Sequence, residues 1–384
     1  MKIQRIWAII FMFLLAACGG GGGASNGAAP TVIKGVASKG IIIGGTAKVF
    51  ALKADGGKDK ELGHDTTKGD GSYSINIGDY TGPVTVEVSG DYTDEATGQP
   101  KTVPATAPLR AAHGNASGTV TVAVTPLTDL AVRQAGALTA PNIAASNNRI
   151  SDAFKVDIIA TVPVAPTAAV FQSSQTTQAQ KDYTLALAAV SQQMAGGDSL
   201  EKTLTTLNSG ISSTGMDAQT AAAITTAVKT FIENNPKNDT GVKSIQETSL
   251  QTVGSTSAKL TIALQGAAAS SVKGIQANIM FPFGVVLRAD PAGAPLADVL
   301  SATGSAAGSG YLNGKYTPPG FAPASLNLGF MTTGNLAAGD IITINADLAS
   351  GTTTVPLTSA FIISGVKLLD SNGNAVSGVS LSIR

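Results

Sequence analysis

Few side chains in this 384-residue chain stand where they could do chemistry. It has one cysteine, Cys18, and two histidines, His64 and His113, far apart along the sequence. Neither histidine belongs to a Ser/His/Asp arrangement or has metal-ligand spacing, so both are expected on solvated loops. Asp370, Asn372 and Asn374 occupy the first, third and fifth positions of a calcium-loop pattern, but its twelfth position is Leu381, where a bidentate Glu is required. A hairpin turn is the expectation there. The runs Ile43-Gly44-Gly45 and 304–310 lack the Gly-Lys-Ser/Thr ending of a phosphate loop. With no paired carboxylate, nucleophile-base or metal motif, neither an enzyme nor a cofactor is expected. The binding chemistry that remains lies in 311–321, where Tyr311, Tyr316 and Phe321 flank a Gly/Pro turn and can offer flat faces to sugar rings or a protein. On that reading Tyr316→Ala weakens binding and leaves the melting temperature unchanged.

Cys18 has the most telling surroundings. Lys2 and Arg5 precede the apolar run Ile6 to Ala17, which ends in small residues, and this order is that of a secretory signal. About a dozen apolar residues are too few to span a bilayer. The stretch Leu15-Ala16-Ala17-Cys18 resembles the lipobox of bacterial lipoproteins, with Leu15, Ala16 and Ala17 as the signal-peptidase recognition residues. The resemblance implies acylation of Cys18, removal of residues 1–17 and a membrane anchor. Each buried acyl methylene contributes about 0.8 kcal/mol, so two or more chains hold durably. Gly19, rather than Asp, follows the cysteine, which in the family's Gram-negative sorting implies the outer membrane. Residues 18–30, rich in Gly, Ala and Ser, are expected to form a tether reaching on the order of 20 Å.

The remaining chain is 43% hydrophobic over the whole sequence, enough for real cores, while only 13% of residues are charged and the formal net charge is zero. A nucleic-acid partner is therefore not expected, because no basic footprint exists. The pattern implies a multidomain, mainly β protein: a small N-terminal β-sandwich over 31–124, a helical region over 125–243 forming a bundle, and a C-terminal β-sandwich over 244–384. Strands are expected at Ala47–Leu52, Tyr73–Ile77 and Val84–Val88, with a reversal at Lys68-Gly69-Asp70-Gly71. Together with Gly35-Val36 and Gly45 to Val49, these runs resemble the carboxypeptidase regulatory-like, transthyretin-type sandwich, a family in which the module is generally a noncatalytic spacer. Thr125-Pro126 is a helix start. Tyr183, Leu187, Val190 and Met194 form one apolar stripe, ended by Gly196-Gly197. Leu200, Leu204, Leu207 and Ile211 form a second, with Asp198 and Glu201 as a capping box. Asp217 caps a third helix, which Asn234-Asn235-Pro236 stops.

Alternation returns at Leu260, Ile262 and Leu264, at Ile275 to Phe281, at Leu326 to Phe330, at Ile342 to Ala346 and at Val379 to Ile383. The segments 274–282, 324–331, 339–344 and 369–376 resemble a cohesin-type domain. In that family one β-face docks a partner protein. The resemblance implies a lipid-anchored, noncatalytic binding or scaffold module at the cell surface or in the envelope, with a protein or polysaccharide partner. The alternative is an architectural envelope lipoprotein with no discrete ligand.

Overall fold

The computed structural model describes residues 29–348 and 356–384. Its first part consists of eight strands: β1 (Val32–Val36), β2 (Thr46–Leu52), β3 (Lys58–Thr66), β4 (Ser72–Asn76), β5 (Gly82–Thr93), β6 (Pro100–Val103), β7 (Leu109–Ala116) and β8 (Thr119–Thr121). The period of two explains them: Ala47, Val49 and Ala51 point inward from β2, while Tyr73 and Ile75 do so from β4. One sheet has the order β4-β1-β8, and the other runs β3-β2-β5-β6 with β7 also paired to β5. The reversal at 68–71 forms as expected, with Gly71 at φ +76° and Asp70 Oδ1 accepting from the Ser72 N–H at 2.9 Å. Gly35 has a different reason to be glycine. A Cβ there would lie 1.7 Å from the Val122 carbonyl oxygen, so the two backbones could not approach.

Six helices follow: α1 (Pro126–Ala135), α2 (Ala140–Phe154), α3 (Ala168–Phe171), α4 (Gln178–Met194), α5 (Leu200–Ser209) and α6 (Ala218–Asn234). Thr125 caps α1 by accepting from the Thr128 N–H, while Thr128 Oγ1 accepts in return from the Thr125 N–H, and Pro126 fills the first turn. Asp217 caps α6 through the Thr220 N–H at 2.7 Å. The cap of α5 departs from expectation by one residue. Ser199 accepts from the Lys202 N–H, whereas Asp198 pairs with Lys202 and Glu201 with Arg133. The strands β9 (Ile211–Ser212) and β10 (Gly215–Met216) form a small hairpin between α5 and α6.

Strands and helices share one hydrophobic core running from Ile33 to Val253, with α4 buried along most of its length. Asp129, 1% exposed, ties the two together by accepting from Arg110 on β7 at 2.7 Å and from Arg133 on α1 at 2.6 Å. A second core runs from Ala258 to Leu368. It lies within nine further strands: β11 (Thr256–Gln265), β12 (Gly274–Met280), β13 (Val285–Val286), β14 (Leu300–Ala302), β15 (Gly310–Thr317), β16 (Ser325–Thr332), β17 (Gly339–Leu348), β18 (Ile362–Leu369) and β19 (Ser380–Ile383). One sheet is ordered β13-β17-β11-β19 with β14 also on β17, and the other β15-β16-β12-β18. Fully buried Ile262 and Ile344 from the first meet Ile279 and Phe330 from the second in a common core, which makes the unit a sandwich.

Asp347, 0% exposed on β17, joins the second core to the helices. Its carboxylate pairs with Lys155 at 2.8 Å and accepts from Arg288 Nε at 2.9 Å and Thr252 Oγ1 at 2.9 Å. Lys155 ends α2 in the left-handed conformation at φ +55°, the one non-glycine residue with positive φ among the described residues. Among the described residues the polypeptide is mostly β-structure in several sheets, with six α-helices.

Candidate binding face

The outer face of the β15-β16-β12-β18 sheet is set by three antiparallel registers. Because side chains alternate, Ile275, Ala277 and Ile279 point into the sandwich and Gln276, Asn278 and Met280 point out. The registers then align four outward rows across the strands. Tyr311, Met331, Gly274 and Leu369 form the first, and Asn313, Gly329, Gln276 and Lys367 the second. Lys315, Asn327, Asn278 and Ser364 form the third, and Thr317, Ser325, Met280 and Ile362 the fourth.

The chemistry of these rows is segregated. At one end Tyr311 and Met331 are 64% and 63% exposed, and at the other Ile362 is 52% exposed. The loops that leave β12 after Met280 and β15 after Thr317 emerge at that second end, bonded to one another by the Phe281 N–H and the Ala324 carbonyl at 2.9 Å. They carry exposed Phe283 and Phe321. Between the apolar ends lies an amide layer, in which Asn278 Nδ2 donates to Asn327 Oδ1 at 3.0 Å and Asn278 Oδ1 has no partner. Gly329 leaves room for the Asn313 side chain, whose Oδ1 would be 2.5 Å from any Cβ at that position. The result is a shallow depression of about 470 Å³ lined by Gln276, Asn278, Asn313, Lys315, Asn327 and Lys367. Lys315 and Lys367 have no ion-pair partner among the described residues, and no acidic residue stands in the four rows.

The aromatic trio expected over 311–321 does not act together. Tyr311 and Phe321 are exposed, but Tyr316 is 5% exposed and packs edge-on against Phe281 with ring centroids 6.3 Å apart. Burial pushes its phenol above the ordinary value. The segment 310–317 is a strand rather than a turn, so residues 311 and 316, an odd number apart, face opposite sides. Sequence reasoning missed Met331, Phe283 and the amide layer, although alternation about Leu326, Leu328 and Phe330 already places Asn327 and Met331 outside.

Other expected residues are simply located. His64 lies on β3 beside Glu61, with Nδ1 3.0 Å from Oε1, and His113 on β7, where burial pushes its pKa down. Both are on strands and not on loops, because β3 pairs along β2 and β7 along β5. Asp370 turns a hairpin, its carboxylate accepting from the Asn372 and Asn374 N–H groups, which hold it below the usual carboxylate range. Leu15, Ala16, Ala17 and Cys18 lie outside the described residues. No helix among the described residues is long and apolar enough to cross a membrane.

No family description matches the chain, and no curated protein does. Among solved structures it is similar to a non-cellulosomal cohesin from the hyperthermophilic archaeon Archaeoglobus fulgidus, at 13% identity and a TM-score of 0.23, over 32% of this chain and 74% of that one.

Proposed function

We propose that the protein is a noncatalytic binding module that docks a partner protein on the β15-β16-β12-β18 face and is held at the bacterial outer membrane by lipid on Cys18. The observation that carries the docking reading is the pairing of exposed apolar groups at both ends of one face with an amide layer between them, in which the buried Asn278 Oδ1 has no partner. Exposed Tyr, Phe and Met side chains are of the types enriched at protein interfaces. The rows span roughly 20 Å along the strands and 14 Å across them, by ordinary strand rise and spacing. That footprint is smaller than the roughly 800 Å² per partner of a standard contact, so the flanking loops with Phe283 and Phe321 belong to the proposed site. Exposed Met331 and Ile362 are not flat rings and extend the apolar surface beyond what a stacked sugar uses, which favours protein over polysaccharide. Lys315 and Lys367 favour an acidic partner surface. The anchor is supported by the order of charged, apolar and small residues that ends at Cys18.

The test is co-purification from the native membrane in detergent. The double variant Tyr311→Ala/Met331→Ala should lose a protein that accompanies the wild-type chain in stoichiometric amount, at unchanged melting temperature. Equal recovery from both chains contradicts the docking site.

A further inference from the structure

We propose that the chain builds an amide bond within itself, joining Lys39 Nζ to the side-chain carboxyl carbon of Glu95. The site is a polar cluster sealed where the loop after β1, the end of β5 and the flank of α4 meet. Lys39 and Asp94 are 0% exposed, Ser191 on α4 is 0% exposed, and the Glu95 side chain is 3% exposed. Lys39 Nζ stands 3.0 Å from Glu95 Oε2 and 3.5 Å from Asp94 Oδ2, and it touches Ser191 Oγ. The Tyr92 ring, 5.1 Å from Nζ, closes the remaining side.

Each group that a condensation needs is present. Asp94 is oriented by the Thr97 N–H and hydroxyl on its Oδ1, at 3.0 and 2.9 Å, which leaves Oδ2 facing Nζ to take a proton from the ammonium. Lys101 Nζ holds the same oxygen from the solvent side at 3.3 Å. The freed amine attacks the Glu95 carboxyl carbon. Negative charge then gathers on Oε1, which already accepts the Gly40 N–H at 2.7 Å, a backbone donor placed as in an oxyanion hole. Ser191 Oγ donates to Oε2 and touches Nζ, so its hydroxyl can relay a proton from nitrogen to the departing oxygen. The C–N bond forms, the C–Oε2 bond breaks and one water leaves. The three ammonium protons end as one on the amide and two on the water, and Asp94 and Ser191 return to their starting states.

Two physical terms favour this outcome. In water the separate ions are preferred because both are hydrated, but here neither is, and condensation removes two desolvated charges. Holding the amine against the carboxyl also replaces a bimolecular encounter by an intramolecular one, with effective molarities on the order of 10⁵ M or more. The product would close a covalent loop around β2 to β5.

The experiment is tryptic mapping of the full chain isolated from its own membrane. Blocked at Lys39, trypsin should release Gly35–Lys48 joined to Gly69–Lys101 as one branched peptide, lighter than their sum by one water. Lys39→Arg and Glu95→Ala should abolish that peptide, and Asp94→Asn should lower its yield at least tenfold. Recovery of the wild-type chain as ordinary linear peptides, cleaved after Lys39 and carrying unmodified Glu95, overturns the proposal. This reading of the wild-type chain does not depend on whether any variant folds.

Discussion

Tyr311 and Tyr316 show what one residue can and cannot reveal. Both are aromatic and close together, yet one is a surface group and the other part of the second core. Tyr316→Ala is therefore expected to destabilise the C-terminal sandwich by about 3–5 kcal/mol, as for other buried aromatics cut to Ala, and to lower the unfolding midpoint in urea. Tyr311→Ala should leave that midpoint in place and weaken partner retention alone. Asp182 gives a second residue-scale prediction. Buried on α4, it accepts from Gln178 Nε2 at 2.8 Å and the Ser249 N–H at 3.1 Å, and burial pushes its pKa from 3.8 up to about 6. The folded chain thus holds this proton more tightly than the unfolded chain does. Its contribution to stability is greatest below about pH 4, declines as pH rises to about 6 and is then flat, a change of roughly 3 kcal/mol. Asp182→Asn should flatten the slope of unfolding free energy between those pH values, measured by urea titration.

Among elements, the helices were the most legible. Thr125-Pro126 and Asp217 act within one turn of their own positions, so these caps could be read without knowing the fold, whereas Ile211, expected on the second helical stripe, falls on β9, and Ser199 rather than Asp198 caps α5. Thr125 also has a long-range bond, from its Oγ1 to the Tyr183 hydroxyl at 2.8 Å, which ties the start of α1 to α4. Loss of both roles in Thr125→Ala should cost about 1–2 kcal/mol by chemical denaturation. Strands were legible only where one face is apolar. β3, Lys-Asp-Lys-Glu-Leu-Gly-His-Asp-Thr, has no apolar alternation and is held by pairing along β2, a contact that local sequence does not encode. β15 was hidden in another way: Gly310 and Gly314 imitate a turn, and only its register with β16 shows that residues 311 and 316 take opposite faces. The proposed docking face could not be assembled from sequence for the same reason, since its rows cross four strands of which only β15 and β16 are neighbours in the chain.

At the scale of the molecule, two features govern behaviour. The first is the Asp347 junction between helices and C-terminal sandwich, where Lys155, Arg288 and Thr252 converge on one buried carboxylate. Asp347→Ala strands the buried Lys155 and takes one of two carboxylate partners from Arg288, which keeps Asp298, and should cost about 3–5 kcal/mol, with new protease sensitivity in the connecting residues 244–256 as the readout. The second is the proposed anchor. Cys18→Ser should move the chain from the membrane fraction to the soluble one and abolish incorporation of labelled palmitate.

The docking face is tested most directly by placing a photoactivatable phenylalanine at position 331 in living cells, with a control at Lys259, exposed on β11 of the opposite sheet. One discrete protein adduct is expected from position 331, absent from position 259 and diminished by Lys315→Glu/Lys367→Glu. The same adducts from both positions, or none from 331 in a folded and membrane-bound chain, would contradict it.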